Sequence, residues 1–497
     1  MSRAAAMPRA LALSAALLSG CAVGPRYSAP TPPAPGAPTF TAQAQAIAST
    51  EQPSPTWWKL YNDPAIDALV QEALAHNKSL LVAAGNLAQA RGALALARSN
   101  LFPSTDLSAG AQYGVTQDQL LLNKLRGGGT PSPQTFYTAG LDASYEVDLF
   151  GRIRRTIQAA KADYQAQQAA EDVTRVTVAG ETTRAYLNAC AYAQDYAVAR
   201  QSLDAAQQTL DVTLKQRRDG AASDFDVARA RETVEQVRST LPGYDGQRRI
   251  ALFQLAVLTG KPPESISQAA AACLKPPTLT RVLPAGDIQS LFRRRPDVRQ
   301  AERQLAANIA RIGIAAANLY PTLSIGGSVA SAASTPGGLA QQSSLTYGIG
   351  PLLSWSFPNI LAAQAQIRQA RGAASASYAN FQAVVLQALQ DTESALTTYG
   401  NELDRNSALA ALKTQSQIAF ALAQKRYQLG AISYLDLLTA QNDLINAASL
   451  LANSEQALAS DQVTVFKALG GGWEQAPAVE PLPLDSDRPN AAASGGS

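Results

Sequence analysis

The sequence predicts a mixed α and β chain assembled by internal duplication, and three observations carry that expectation. A Gly-x-x-Ser-x-x-Asp stretch occurs twice, at 220–226 and 430–436, at an offset of 210 residues that Gly260 and Gly470 repeat. Before each copy runs a proline-free stretch of helical periodicity, far longer than an ordinary globular helix. Each half also holds two segments whose apolar residues alternate with polar ones, the two-residue period of a strand. Composition agrees: of 497 residues 46% are hydrophobic, aromatics are few, and abundant Ala and Gln favour long helices over a dense aromatic core.

Residues 1–20 combine an Arg-bearing start with the apolar run Ala10–Leu18, too short to span a bilayer and shaped as a secretory leader. It ends Leu18-Ser19-Gly20-Cys21, which resembles the lipobox of bacterial lipoproteins and makes Cys21 the candidate lipidated residue. Ala22 after it, rather than Asp, resembles the pattern sent on to the outer membrane. Residues 21–56 are Pro- and Ala-rich and read as an extended, lipid-anchored tether.

Residues 57–286 form the first repeat. Trp57-Trp58-Lys59-Leu60-Tyr61-Asn62-Asp63-Pro64 introduces a helix expected to reach about Asn100, with Ile66, Leu69, Val70, Ala73 and Leu74 at helical spacing. Pro103 ends it, and a β-hairpin is expected over about 103–149. Leu107, Ala109, Ala111, Tyr113 and Val115 alternate with small or polar residues. Tyr137 to Leu149 alternate with Thr138, Asp142, Ser144, Glu146 and Asp148. The glycines of the connection, Gly127 to Gly129, are followed by no Lys-Ser/Thr, so they read as a loop and not as a phosphate cradle. A helix from Arg152 to Asp219 then spans roughly 100 Å. Gly220 closes it, Ser223 caps the next helix with Asp226 as acidic partner, and that helix runs to Thr259 with a kink expected at Pro242-Gly243.

Residues 287–470 repeat the pattern. Arg293-Arg294-Arg295-Pro296-Asp297-Val298 opens a helix to Asn318, and Leu319-Tyr320-Pro321 mirrors Leu101-Phe102-Pro103. A second hairpin is expected over about 321–357. The helix from Ile360 to Leu429 carries a coiled-coil seam of Val385, Leu389, Thr392, Leu396, Tyr399 and Leu403. The second turn, 430–433, and a helix to Leu469 complete the unit. Residues 471–497 read as a mobile tail.

Several function classes drop out on inventory. The formal charge of +3 falls by two when Arg3 and Arg9 leave with the leader, so nothing marks a nucleic-acid partner. His76 is the single histidine and sits among polar neighbours; both methionines, Met1 and Met7, precede Cys21. No cluster of metal ligands or nucleotide loop assembles, so no enzyme, metal site or cofactor is expected beyond a covalent lipid on Cys21. Cys190 and Cys273 read either as two buried thiols, the blander choice, or as a disulfide in an oxidising compartment.

Two hairpins give four strands, each with an apolar and a polar face and long enough to cross a bilayer at a tilt. No charge-free apolar run reaches the length of a spanning helix, so membrane contact is assigned to the strands, with Asp142, Glu146 and Asp148 facing a wet lumen. Membrane strands cannot leave open edges, and four cannot close a barrel, so several chains must share one.

The lipobox, Trp57-Trp58, Leu101-Phe102-Pro103, Glu146-Val147-Asp148-Leu149-Phe150-Gly151-Arg152, Arg294-Arg295-Pro296-Asp297 and the paired turns together resemble the TolC-like outer membrane factors, in the lipoprotein branch serving resistance-nodulation-division efflux pumps. The resemblance implies a homotrimer with a twelve-stranded outer-membrane barrel, four strands per chain, continuous with a long α-helical periplasmic barrel. It implies a periplasmic adaptor at the turns, an inner-membrane pump behind it, and lipid around the barrel. Gly220, Ala221, Ala222 and Ser223, with Gly430, Ala431, Ile432 and Ser433, are the adaptor-contact candidates; small residues let another helical hairpin approach closely. For the tunnel gate, Tyr427 and Leu435 match the family pattern, while its Asp and Arg positions are Thr439 and Asn442 here. Closure is therefore expected from Leu435 and hydrogen bonding around Tyr427, with Asp436 and Asp443 as nearby negative groups. Asp226 and Asp436 read equally as helix caps. Rival readings are a type I protein-secretion or metal-efflux conduit, and a periplasmic coiled-coil lipoprotein that forms no pore.

Overall fold

The computed structural model describes residues 22–31, 40, 47–279, 282–357 and 360–481. The leader, Cys21, the middle of the expected tether and the end of the expected tail lie outside the described residues. The chain divides into two compact units.

The first unit gathers residues 22–30, 89–166 and 302–380. Its centre is a four-stranded antiparallel sheet made of both hairpins: β2 (Ser104–Gly114), β3 (Gln134–Val147), β5 (Thr322–Ala333) and β6 (Leu345–Ser354), in that spatial order. Both expected hairpins are present, and β3 against β5 joins them into one sheet. The β2–β3 connection is not all loop: α3 (Gln117–Leu125) forms within it, because Thr116 and Gln119 make a reciprocal capping box.

Beyond β3 the chain turns at Gly151, φ +83°, into α4 (Arg152–Arg218). Asp148 caps this start. Its carboxylate accepts from the Ile153 and Arg154 amides at 3.0 and 2.9 Å, and Arg154 Nε reaches it at 3.2 Å. Glu146 pairs with Arg152. Of the three acids assigned to the polar face, Asp148 thus takes two of the unpaired amides at the positive end of the helix, and Glu146 takes the side chain of its first arginine.

The described start of the expected tether is docked here. Val23 donates to the Phe150 carbonyl at 3.1 Å, and Arg155 donates to the Val23 and Gly24 carbonyls at 3.3 and 3.2 Å. Gly24 has φ +89°, and a Cβ on it would lie 2.6 Å from the Gly313 Cα, so contact at this depth requires glycine.

The second unit takes the described parts of 31–88, 167–301 and 381–497. After β1 (Ala48–Ser49) and a 3-10 turn, Trp57–Tyr61, come α1 (Pro64–His76) and α2 (Lys78–Ser99). The single helix expected to Asn100 is thus broken at Asn77. The Asn77 side-chain oxygen accepts from the Ser79 amide at 2.9 Å, and its amide donates to the Leu258 carbonyl at 2.9 Å, fixing an extended residue between two helices. α2 is long and apolar enough to cross a membrane, which tempers the expectation that no run qualifies; Lys78, Arg91 and Arg98 keep it from being charge-free.

α4 is 67 residues, and α5 (Asp224–Leu258) returns from it unbroken through Pro242. After α6 (Gln268–Ala271), β4 (Leu283–Pro284) pairs in parallel with β1, a contact with no sequence signal. α7 (Ile288–Arg294) starts earlier than expected because Asp287 caps it, and Arg295 stays extended before Pro296 opens α8 (Pro296–Ala317). α9 (Ile360–Gln428) and α10 (Tyr434–Ala468) form the second long hairpin. On α9, Val385, Thr392, Leu396 and Tyr399 of the expected seam are buried.

The core of this unit explains two motifs. Trp57 stacks on Phe466 with ring centroids 4.6 Å apart, Trp58 Nε1 donates to Asp67 at 3.0 Å, and Asp63 caps α1 while accepting from the Tyr186 hydroxyl at 2.8 Å. Each fully buried ring contributes roughly 2–3 kcal/mol. Arg294 Nε and Arg295 Nη1 donate to the Leu469 and Ala468 carbonyls at 2.7 and 3.1 Å, closing the C-terminus of α10, while Asp297 and Asp391 hold Arg295 at 2.6 and 3.2 Å. The expected tail begins docked: Trp473 donates to the Arg294 carbonyl at 3.0 Å, and Arg299 lies 4.5 Å over its ring.

Cys190 and Cys273 form a disulfide with Cα atoms 5.1 Å apart, correcting the reading as two buried thiols. The segment after α5 folds back to bring Cys273 to the level of Cys190 on α4. Cutting the bond by Cys273→Ser should cost about 2–4 kcal/mol in urea unfolding. Non-reduced intact mass should lie two hydrogens below the reduced mass.

Asp195, 4% exposed on α4, is pushed up to about 6 by burial and by the charge of Glu455. Raised above its unfolded value, this carboxyl favours folding when protonated and opposes it once ionised. Asp195→Asn should therefore stabilise the protein by roughly 2–3 kcal/mol at pH 7.5, the gain fading as pH falls from about 6 towards 4. Thermal melts across that range check it.

Candidate functional site

The sheet is a candidate membrane element because its register lines up apolar rows on one face across the strands and mostly small or polar residues on the other, Phe136 and Leu352 excepted. Leu107 stands opposite Leu141, Leu141 opposite Val329 and Val329 opposite Tyr347; Tyr145, Ile325 and Pro351 make a second apolar row, and Val147, Leu323 and Leu353 a third. The other face carries Asp106 opposite Asp142 opposite Ser328, then Gly348. Asp106 was missed in the sequence reading, which stressed the second strand; pairing register is what brings its carboxylate beside Asp142. β2 and β6 are the edges. β6 is exposed throughout, and β2 is exposed at every residue but Gly114. Leu107 is 80% exposed, Tyr347 83% and Ile349 84%.

The two helical turns are built alike. Gly220 and Gly430 take φ +79° and +69°, and the amides of Ala221 and Ala431 close back on the Gln216 and Arg426 carbonyls at 2.7 and 2.8 Å. Ser223 and Ser433 each make a full capping box with Asp226 and Asp436, so both acids are helix caps. Those bonds hold the Asp436 carboxyl below the usual carboxylate range. Around Gly220 and Gly430 there is open space. Ala221 and Ala431 are exposed, Ala222 and Ile432 half-buried.

Across the duplication the brace of the turn changes chemistry. In the first, Arg217 grips Asp224 through two hydrogen bonds of 2.7 and 2.9 Å. At the equivalent positions of the second stand Tyr427 and Tyr434, packed edge-on with centroids 5.9 Å apart inside a cluster with Phe420, Leu437 and Leu438. Burial, and then the neighbouring Tyr427, push the Tyr434 phenol up to about 12. Gln216 donates to the Tyr427 carbonyl at 3.1 Å, tying the second turn to the first.

The expected gate residues therefore divide. Tyr427 is buried, whereas Leu435 is 64% exposed, and Thr439 and Asn442 follow it along one exposed helical stripe with Asp436 and Asp443 beside it. Thr439 uses its hydroxyl locally, donating to the Leu435 carbonyl at 2.8 Å. Phe225, the counterpart of Leu435 in the first turn, is 66% exposed; the 210-residue offset was the signal that could have singled it out.

With this geometry in view, similarity to known proteins is informative. Residues 69–261 and 288–471 match the family described as outer membrane efflux protein, in two segments that follow the two repeats. The chain is 29% identical to nodulation protein T of Rhizobium leguminosarum bv. viciae over 465 residues, covering 92% of each. It is 29% identical to the antibiotic efflux pump outer membrane protein ArpC of Pseudomonas putida, over 93% of this chain and 95% of that one. It is 27% identical to the cation efflux system protein CusC of Escherichia coli, over 96% and 100%. Among solved structures, the outer-membrane channel OprN superposes with a TM-score of 0.83 at 29% identity, over 91% of this chain and all of that one. The matched segments span well over half of the sequence, and the chain belongs to the outer membrane efflux protein family, the TolC-like outer membrane factors.

Proposed function

We propose that three copies of this chain close a single twelve-stranded barrel, four strands from each, and that their long helices continue it as a periplasmic tunnel. The assembly is the exit duct of a tripartite efflux system. The observation that carries this reading is the in-register, two-faced sheet with two bare edges: its apolar face suits hydrocarbon, and its edges require strand partners there. Exposed apolar residues on α2, Val82 and Leu96, support burial between copies.

The turns at Gly220–Ser223 and Gly430–Ser433 are the docking points for a periplasmic adaptor, which links the duct to an inner-membrane pump of the resistance-nodulation-division type. Open, small-residue surface supports this assignment. Cys21 carries the lipid: Ala22, the next residue, packs against Gly151 at the strand-to-helix junction, where an acyl anchor would reach the bilayer beside the sheet. The cargo is small molecules such as drugs or other toxic compounds, as similarity to an antibiotic efflux protein supports. Similarity to a cation efflux protein supports a metal-exporting system as the second reading.

Material extracted from outer membranes should carry acyl mass on Cys21 and run as a heat-sensitive trimer that forms channels in planar bilayers. A soluble monomer after proteolytic removal of the anchor, with no β signal in circular dichroism, would sink the reading.

Leu435 is proposed as the constriction of the closed tunnel, flanked by Thr439 and Asn442 in place of a charged lock. Leu435→Ala trimers should then show severalfold higher single-channel conductance than wild type; an unchanged conductance counts against this role.

A further inference from the structure

A cavity of about 400 Å³ opens among α4, α5 and α10 in the second unit. Asp195 lines it, and its Oδ2 is sealed from solvent without a hydrogen-bond donor. Among the described residues no cation is paired with this carboxylate; its charged neighbour is Glu455, which Gln194 holds. A buried carboxylate beside a second acid, with no counter-ion, is an unfavourable arrangement that a cation would relieve.

The rest of the lining is suited to a cation with an organic body. Ser202, Thr233 and Thr240 each donate their hydroxyl proton to a carbonyl of their own helix, at 3.1, 3.2 and 2.8 Å, which leaves their oxygens as acceptors. Val198, Val237 and Ile445 supply apolar wall, and Tyr244 an aromatic one. A hard metal ion fits poorly: it takes six or more oxygen ligands, and among the described residues no group of three His, Cys, Asp or Glu side chains converges. The volume is that of a small-molecule site.

We propose that this cavity binds a small organic cation, an ammonium group on an alkyl or aryl body, with Asp195 as its counter-ion. The assignment does not rest on the exit-duct reading, because the lining comes from a single chain.

The test is isothermal titration of the purified, membrane-extracted full-length protein with benzyltrimethylammonium, and with benzyl alcohol as a neutral comparison. Saturable binding of one cation per chain is expected, with benzyl alcohol at least tenfold weaker. Asp195→Asn should weaken cation binding at least tenfold without lowering the melting temperature, and the cavity-filling Ala199→Phe should do the same to binding. Three results overturn the proposal: no saturable binding by wild type, equal affinity in Asp195→Asn, or a structure of the assembled protein with a neighbouring copy's Lys or Arg seated beside Asp195. Cation binding is read by titration, and the exit duct by trimer migration and channel formation, so failure of one reading leaves the other standing.

Discussion

The molecule is organised by what a four-stranded sheet leaves undone. Among the described residues, its apolar rows stay open at the outer strands, Leu107 being 80% and Tyr347 83% exposed, and no strand lies beside the outer sides of β2 and β6. In water this combination invites aggregation; in hydrocarbon each unpaired backbone group costs several kcal/mol. The proposed closure of the sheet by further copies would answer both demands at once. It would also give polar residues such as Asp106, Asp142 and Ser328 a wet interior, opposite the apolar face of the same strands.

The same economy governs the joints. Where β3 hands over to α4, one aspartate, Asp148, serves as the helix cap, and Glu146 fixes the first arginine of the helix. Where α10 ends, Arg294 and Arg295 take its last carbonyls. Long helices have unpaired ends like any others; here the start of α4 is tied by acids just upstream of it, and the end of α10 by arginines far away in the sequence. Several of the motifs that resemble the family are these joints, among them Glu146 to Arg152 and Arg294 to Asp297.

Duplication preserved backbone and let side chains diverge. The left-handed glycine, the closing amide and the capping box recur in both turns, while the Arg217–Asp224 clamp becomes the Tyr427–Tyr434 packing pair. An exposed ion pair contributes little to stability, whereas a buried aromatic pair removes apolar area from water. The second turn therefore sits on a small apolar cluster that it shares with Leu210, Val212 and Ala230 of the first helical hairpin, and Phe225 and Leu435 remain as exposed apolar residues on the first turn of each return helix.

What the sequence determined by itself was whatever depends on local periodicity and backbone chemistry. Alternation marked the strands, absence of proline marked the long helices, and Gly followed by Ser and Asp marked the turns, because these signals act within a few residues of one another. Tertiary structure decided what depends on distant partners. It set the register that puts Asp106 beside Asp142, the pairing of Cys190 with Cys273, the break at Asn77 held by Leu258, and the docking of Val23 and Trp473. It also separated buried Tyr427 from exposed Leu435, because two apolar side chains next to one turn differ only in which of them a neighbouring helix covers.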